Sequence, residues 1–137
     1  MTRHKQIIRT VLKHYPETQA VYLFGTFGTD RQFPDSDVDI ALLLPHQPAG
    51  TAGTLAMTDL RFELERLLKM DVDLINLRRV PTVLQKEIIA AGRRIYTADK
   101  YAADEFDMLT LSYYQKLNEE RAEILEAIMA SGRVIQP

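Results

Sequence analysis

The sequence has no cysteine among its 137 residues. That excludes a disulfide framework, a thiolate metal centre and a cysteine nucleophile, and it fits a reducing compartment. An excess of charge of one sign is also missing. Lys+Arg number 17 against 19 Asp+Glu, for a net charge of −2, so the basic field of a general polynucleotide binder is lacking. No apolar run approaches the ~18 residues that a membrane span needs. The opening Met1-Thr2-Arg3-His4-Lys5 leads into polar-interrupted sequence with no secretory apolar segment. The expected location is therefore the cytoplasm. Glycine and proline, six of each, stand at ordinary globular levels. With 46% hydrophobic residues, the chain has enough apolar material for one core and a length that fits one domain, 1–137.

The apolar residues that are present fall into a readable order. Ile7, Ile8, Val11, Leu12 and Tyr15 recur at helical spacing, and Pro16 ends that helix. Ala20 to Phe24 is a strand-length apolar run that stops at the turn-rich Gly25-Thr26-Phe27-Gly28-Thr29-Asp30. Pro34-Asp35-Ser36 punctuates again, and Val38 to Leu44 reads as a strand covered on both faces. After a loop over Pro45 to Thr54, Met57, Leu60, Leu64, Leu67 and Leu68 give a second helix. Val72 to Leu77 predicts a strand, Pro81 to Gly92 a helix with Pro81 at its first position and Gly92 closing it in the left-handed conformation that glycine favours at helix ends, and Arg93 to Tyr96 a last short strand. From Ala103 to Ala130, the spacing of Phe106, Leu109, Tyr113, Leu117, Ile124 and Ile128 describes a long helix, ended by Ser131-Gly132. The order α-β-β-α-β-α-β-α predicts an α/β (α+β) fold: helices on a small mixed sheet, plus a long C-terminal helix. The helical apolar stripes are expected to be core.

Chemistry concentrates in one segment: Gly25-Thr26, ten residues, then Asp37-Val38-Asp39. Two aspartates two apart on a strand leave from the same face. Their repulsion is relieved by a cation between them, and hard oxygen ligands suit Mg²⁺ with phosphate oxygens completing its shell. Gly25 follows a strand end, where backbone can approach a phosphate closely, and Thr26 adds a hydroxyl. Asp71-Val72-Asp73 repeats the spacing and offers a further carboxylate from a neighbouring strand. Together these describe a two-metal phosphoryl or nucleotidyl transfer site. Surface aspartates two apart are common, but this pair opens an apolar strand, where carboxylates are otherwise avoided. An EF-hand reading of Asp35-Ser36-Asp37-Val38-Asp39 fails, because Ile40 stands where glycine is needed and His46 where glutamate is. A metal-dependent glycosyltransferase would need an acceptor-binding half that this chain lacks.

These residues resemble the Gly-Ser-x10-Asp-x-Asp signature of the DNA polymerase beta-like nucleotidyltransferase superfamily. At this length the chain most resembles the minimal nucleotidyltransferase (MNT) antitoxins, MntA-type, of HEPN/MNT toxin–antitoxin pairs. The resemblance covers about residues 20–96, and Val72-Asp73-Leu74 matches the family's third aspartate, which selects Asp73 over Asp71. It departs at Thr26, where the family has serine, and at Gly28-Thr29-Asp30, which replaces a small-Arg-Gly run. The resemblance implies Mg²⁺, two ions, held by Asp37, Asp39 and Asp73, with Asp73 also assisting proton loss. It implies ATP phosphates held at Gly25 and Thr26, and Ser36 is a further candidate for a phosphate contact. The implied reaction is AMP transfer from ATP to a tyrosine of a cognate HEPN ribonuclease toxin, which silences it. Competing readings are a binding-only antitoxin with an idle nucleotide site and a small-molecule nucleotidyltransferase of the aminoglycoside-modifying kind. An RNA-tailing enzyme fits the mildly acidic charge less well.

Several residues are set aside. His4, His14 and His46 share no metal-ligand spacing. Arg78 and Arg79 follow the third acidic strand and are candidates for nucleotide or partner contact, or a solvated pair. Asp71 is a candidate surface partner of Lys69. Tyr113 and Tyr114 cannot both face one way on a helix, so one is expected in the core and the other against a partner. The Glu119, Glu120, Glu123 and Glu126 face would suit a basic partner surface.

Overall fold

The computed structural model describes residues 3–25, 37–46 and 54–131. Helix α1 (Arg3–His14) leads to β1 (Ala20–Phe24) and β2 (Val38–Leu43). Helix α2 (Thr54–Leu68) then leads to β3 (Val72–Asn76), a single 3-10 turn (Leu77–Arg79) and α3 (Thr82–Ala91). Strand β4 (Arg93–Thr97) and α4 (Lys100–Ala130) complete the described chain. The four strands lie in the order β3-β2-β1-β4. β1 is antiparallel to both of its neighbours, and β2 and β3 are parallel. A parallel pair needs a crossover, and α2 supplies it.

Alternation along the strands sorts the core into two layers. Val21 and Leu23 of β1, and Val38, Ile40 and Leu42 of β2, pack with Ile7 and Val11 of α1 and Leu60, Leu64 and Leu68 of α2. The intervening Tyr22, Ala41 and Leu43 pack with Ile88 of α3 and Ala103 and Phe106 of α4. β1 and β2 are buried on both faces, as their unbroken apolar runs imply. The β1–β4 register shifts between Val21 and Tyr22. One extra residue on β4 lets the consecutive Ile95 and Tyr96 both pack on the α1/α2 layer, while Arg94 faces the other side beside Tyr22.

Three expectations are corrected in detail. Pro81 is the N-cap of α3, not its first helical residue; its carbonyl accepts from Gln85 N–H at 3.0 Å. Gly92 closes α3 with φ −80, so left-handed freedom is not why glycine stands there. A β-carbon would collide with the Ile88 carbonyl oxygen and lie 3.1 Å from that of Leu23. The third correction concerns α4. It begins at Lys100, with the Asp99 carboxylate accepting from Ala102 N–H at 3.0 Å, and its burial stops early. Ala103, Phe106 and Thr110 are its buried residues, whereas Tyr113 and Ile124 are each 59% exposed. The reason is length. A strand of five or six residues spans ~17–20 Å, and a helix of 31 residues spans ~46 Å, so the sheet cannot cover it.

Candidate active site

The acidic residues converge at one end of the sheet, on the α3/α4 face. Asp39 shares its face with Ala41 and Leu43, and Asp37 precedes β2 two residues earlier. The registers Phe24↔Asp39 and Asp39↔Asp73 put Asp39 between the end of β1 and the start of β3. Adjacent strands run ~4.8 Å apart, so the Asp39 and Asp73 side chains rise side by side.

The end of α2 fixes that register. Lys69, at φ 56, takes the left-handed position after Leu68, where the chain leaves α2 for β3. The Asp71 carbonyl accepts from Val38 N–H at 2.8 Å, and Glu65 Oε2 accepts from Val72 N–H at 3.0 Å. Asp71 thus contributes backbone to this junction. Glu65 was invisible in the sequence, where it reads as one more solvated helical carboxylate.

Gly25 caps the arrangement. It has φ +74, and a β-carbon there would overlap Asp39 Oδ2 and sit 3.3 Å from Asp39 Cγ. Glycine is needed twice, for the left-handed turn and for the carboxylate pressed against its α-carbon. Asp39 is half-buried, and its carboxyl is held above the usual carboxylate range, first by burial and then by the charges of Asp73 and Asp37. Asp37 and Asp73 are exposed.

Crowded hard anions at a strand end fit a divalent cation. Among the described residues, no three or more His, Cys, Asp or Glu side chains close into a cage that could hold a metal ion by themselves. Mg²⁺ keeps waters and takes phosphate oxygens beside one or two carboxylates. Thr26 and Ser36 lie outside the described residues, as do Gly28, Thr29 and Asp30.

The remaining candidates are elsewhere. Arg78 is at the opposite end of the strands. Its Nε donates to the Leu44 carbonyl at 2.5 Å and its NH2 to Gln19 Oε1 at 2.7 Å; its NH1 lies 3.0 Å from His46 Nε2. Its guanidinium carbon stands 5.5 Å from the Phe106 ring centre. Of the alternatives open for Arg78, neither nucleotide contact at the acids nor a solvated side chain matches this position: it is a rivet between β2, the Gln19 segment and α4. His14 Nε2 is 2.7 Å from Glu63 Oε2, and Lys13 Nζ is 2.8 Å from Glu63 Oε1, tying α1 to α2. A cleft of about 250 Å³ bounded by His14, Glu17, Thr18 and Leu44 is also at that far end, away from the acids.

A second polar cluster was not foreseen. Tyr22 donates its hydroxyl to Asp107 Oδ1 at 2.8 Å, and Arg94 bonds Asp107 Oδ2 at 2.6 Å and Asp104 Oδ1 at 3.1 Å. Burial and the Asp107 carboxylate push the Tyr22 hydroxyl well above its ordinary pKa. This cluster latches α4 onto β1 and β4.

A strand-end glycine over an acid pair, with a third acid on the adjacent parallel strand, is a nucleotidyltransferase arrangement. The family model described as "Polymerase beta, Nucleotidyltransferase" matches residues 6–101, and the chain belongs to that family. Within it, the chain is 35% identical over 127 residues to the protein adenylyltransferase MntA of Shewanella oneidensis, across 92% of this chain and 87% of the relative. Among solved structures it resembles a toxin–antitoxin crystal structure with AMP-PNP, at TM-score 0.77 and 32% identity, covering 93% of this chain and 99% of the other. It also resembles a chain in a complex of tri-AMPylated Shewanella oneidensis HEPN toxin with MNT antitoxin. There the TM-score is 0.72 at 31% identity, covering 93% of this chain and 96% of that one.

Proposed function

We propose that the chain is the antitoxin of a HEPN/MNT pair and a Mg²⁺-dependent protein adenylyltransferase. It moves AMP from ATP to a tyrosine hydroxyl of a HEPN ribonuclease toxin, and so silences the toxin. The observation that carries this reading is the Asp39↔Asp73 register beneath a left-handed Gly25. Likeness to an adenylyltransferase over nearly the whole chain supports it, as does likeness to chains solved with AMP-PNP and with an AMPylated HEPN toxin.

In this reading the tyrosine oxygen attacks the α-phosphorus of ATP, a new P–O bond forms, the α–β bridging bond breaks and pyrophosphate leaves. Asp37 and Asp39 would hold Mg²⁺, with Asp73 beside them. Asp73, exposed beside Asp39, accepts the proton that the tyrosine hydroxyl gives up. Gly25, without a side chain, lets the backbone approach the β- and γ-phosphates, with Thr26 and Ser36 as their hydroxyl contacts. Mg²⁺, when bound, supplies neutralisation of the charge on the α-phosphate and on the departing pyrophosphate.

The whole chain acts as one unit, with its catalytic core over about residues 20–96. The place of action is the cytoplasm, in keeping with the absence of cysteine. Among the described residues no helix is long and apolar enough to cross a membrane.

The test is incubation with labelled ATP, Mg²⁺ and the HEPN protein. The toxin should gain mass in units of AMP, and Asp37→Asn or Asp39→Asn should abolish the gain. Full labelling by both variants would overturn the assignment.

A further inference from the structure

The two acidic triplets, Asp37-Val38-Asp39 and Asp71-Val72-Asp73, are joined by one peptide unit. Its carbonyl, that of Asp71, accepts from Val38 N–H at 2.8 Å. A peptide is planar and trans, so its N–H points opposite to its carbonyl. The N–H of this unit belongs to Val72 and therefore points away from β2. β3 is an outer strand of the described sheet, and outward N–H groups of such a strand have no ladder partner. Glu65 Oε2 meets this one at 3.0 Å. The 71–72 peptide is thus clamped from both sides, by β2 and by α2.

Glu65 is built to hold it. The side chain is half-buried and springs from the last turn of α2, where the Glu65 carbonyl accepts from Lys69 N–H at 2.8 Å. Leu64 and Leu68 beside it are locked in the core. What the clamp decides is register. A slip of one residue turns every side chain of a strand to the other face, which would carry Asp73 away from Asp39 into the α1/α2 layer. The apolar pattern guards weakly against that slip, because β3 packs Leu74 on one face and Ile75 on the other.

We propose that Glu65 is a positioning residue: through the 71–72 peptide it holds Asp73 beside Asp39, and so serves the metal and proton-transfer roles that rest on the reading above. The role needs an acceptor oxygen at the right reach and does not need a charge.

That distinction sets the experiment, on the full chain. Glu65→Gln keeps the reach and drops the charge. Glu65→Asp keeps the charge and is one methylene short. Glu63→Ala breaks the α1–α2 tie and leaves the clamp alone. Hydrogen exchange of the Val72 amide is read by NMR, and affinity for Mg²⁺·α,β-methylene-ATP by calorimetry. Glu65→Asp should expose the Val72 amide to exchange and weaken the complex about 10-fold. Its kcat for AMP transfer should fall about as much, with KM for the HEPN protein unchanged. Glu65→Gln should match the unaltered chain throughout. Glu63→Ala should lower the melting temperature with affinity unchanged. In an Asp73→Asn background Glu65→Asp should bring no further loss of affinity. The positioning role is overturned by unaltered affinity in Glu65→Asp, by a Glu65→Gln that is no better, by an equal loss in Glu63→Ala, or by additive losses with Asp73→Asn. An unaltered chain that gives the expected affinities but no AMP gain on the toxin refutes the transfer reading and leaves the positioning role standing. AMP transfer by a Glu65→Asp chain of unaltered affinity does the reverse.

Discussion

Replacing Asp39 by asparagine should stabilise the metal-free protein while abolishing AMP transfer. Asp39 is the acid pressed between Gly25 and Asp73, and burial with two like-charged neighbours holds its carboxyl above the ordinary 3.8. Two unit charges ~6 Å apart repel by roughly 0.7 kcal/mol in water and ~3 kcal/mol at an effective dielectric of ~20. The site is open to solvent on its Asp37 and Asp73 sides, so screening holds each pair near the lower figure. Asp73 and Asp37 together then cost about 1–2 kcal/mol. At this chain length that is a rise of about 3–10 °C in melting temperature. The sign with pH follows from which state keeps the proton. The folded carboxyl is raised, so the native state binds the proton more tightly than the unfolded chain does. Stability falls as pH climbs above 3.8 and the carboxyl ionises. The advantage of Asp39→Asn is therefore complete at neutral pH and vanishes in acid. Mg²⁺ should invert the order: at a hundred times its Kd it stabilises the unaltered protein by about 2.7 kcal/mol and the variant far less. Calorimetric melts in EDTA and in Mg²⁺ read both effects. If the variant melts lower than the unaltered protein in EDTA, or if Mg²⁺ raises both equally, the crowded-acid account is wrong.

Gly25→Ala should cost about 2 kcal/mol or more, since it combines a left-handed backbone with a β-carbon overlapping Asp39 Oδ2; ATP affinity by calorimetry should fall with it. Arg78→Ala should cost about 2–3 kcal/mol in urea unfolding, from the stranded Leu44 carbonyl and the lost ring stacking, with AMP transfer per folded molecule unchanged because the rivet is remote from the acids. Loss of transfer in the fully folded Arg78 variant would show that it touches substrate after all.

The element order and the acid site were legible because each depends on local pattern. Asp37 and Asp39 opening an otherwise apolar β2, and Asp73 within Val72-Asp73-Leu74, stand out wherever the strands are placed. What was not legible depends on which segment lies beside which. The spacing of Arg78 is that of any surface arginine, and only the folded chain brings Leu44, Gln19 and His46 around it. Tyr22 and Asp107 are 85 positions apart, beyond any periodicity. Gly92 was placed at the right helix end for the wrong reason, since its tight approach to Leu23 of β1 belongs to tertiary packing. The α4 stripe misled because period alone reports a face, not what covers it.

The parallel β2–β3 pairing also governs when the protein becomes competent. Asp39 and Asp73 stand 34 positions apart in register, joined only through the α2 crossover, so loop closure must come before their side chains can meet. On a ribosome the earlier strands can form a hairpin first, and that hairpin holds Asp37 and Asp39 but cannot gather the third acid. The three acids therefore come together only once β3 has emerged and annealed, and under the proposed function an incomplete nascent chain would be spared futile nucleotide turnover.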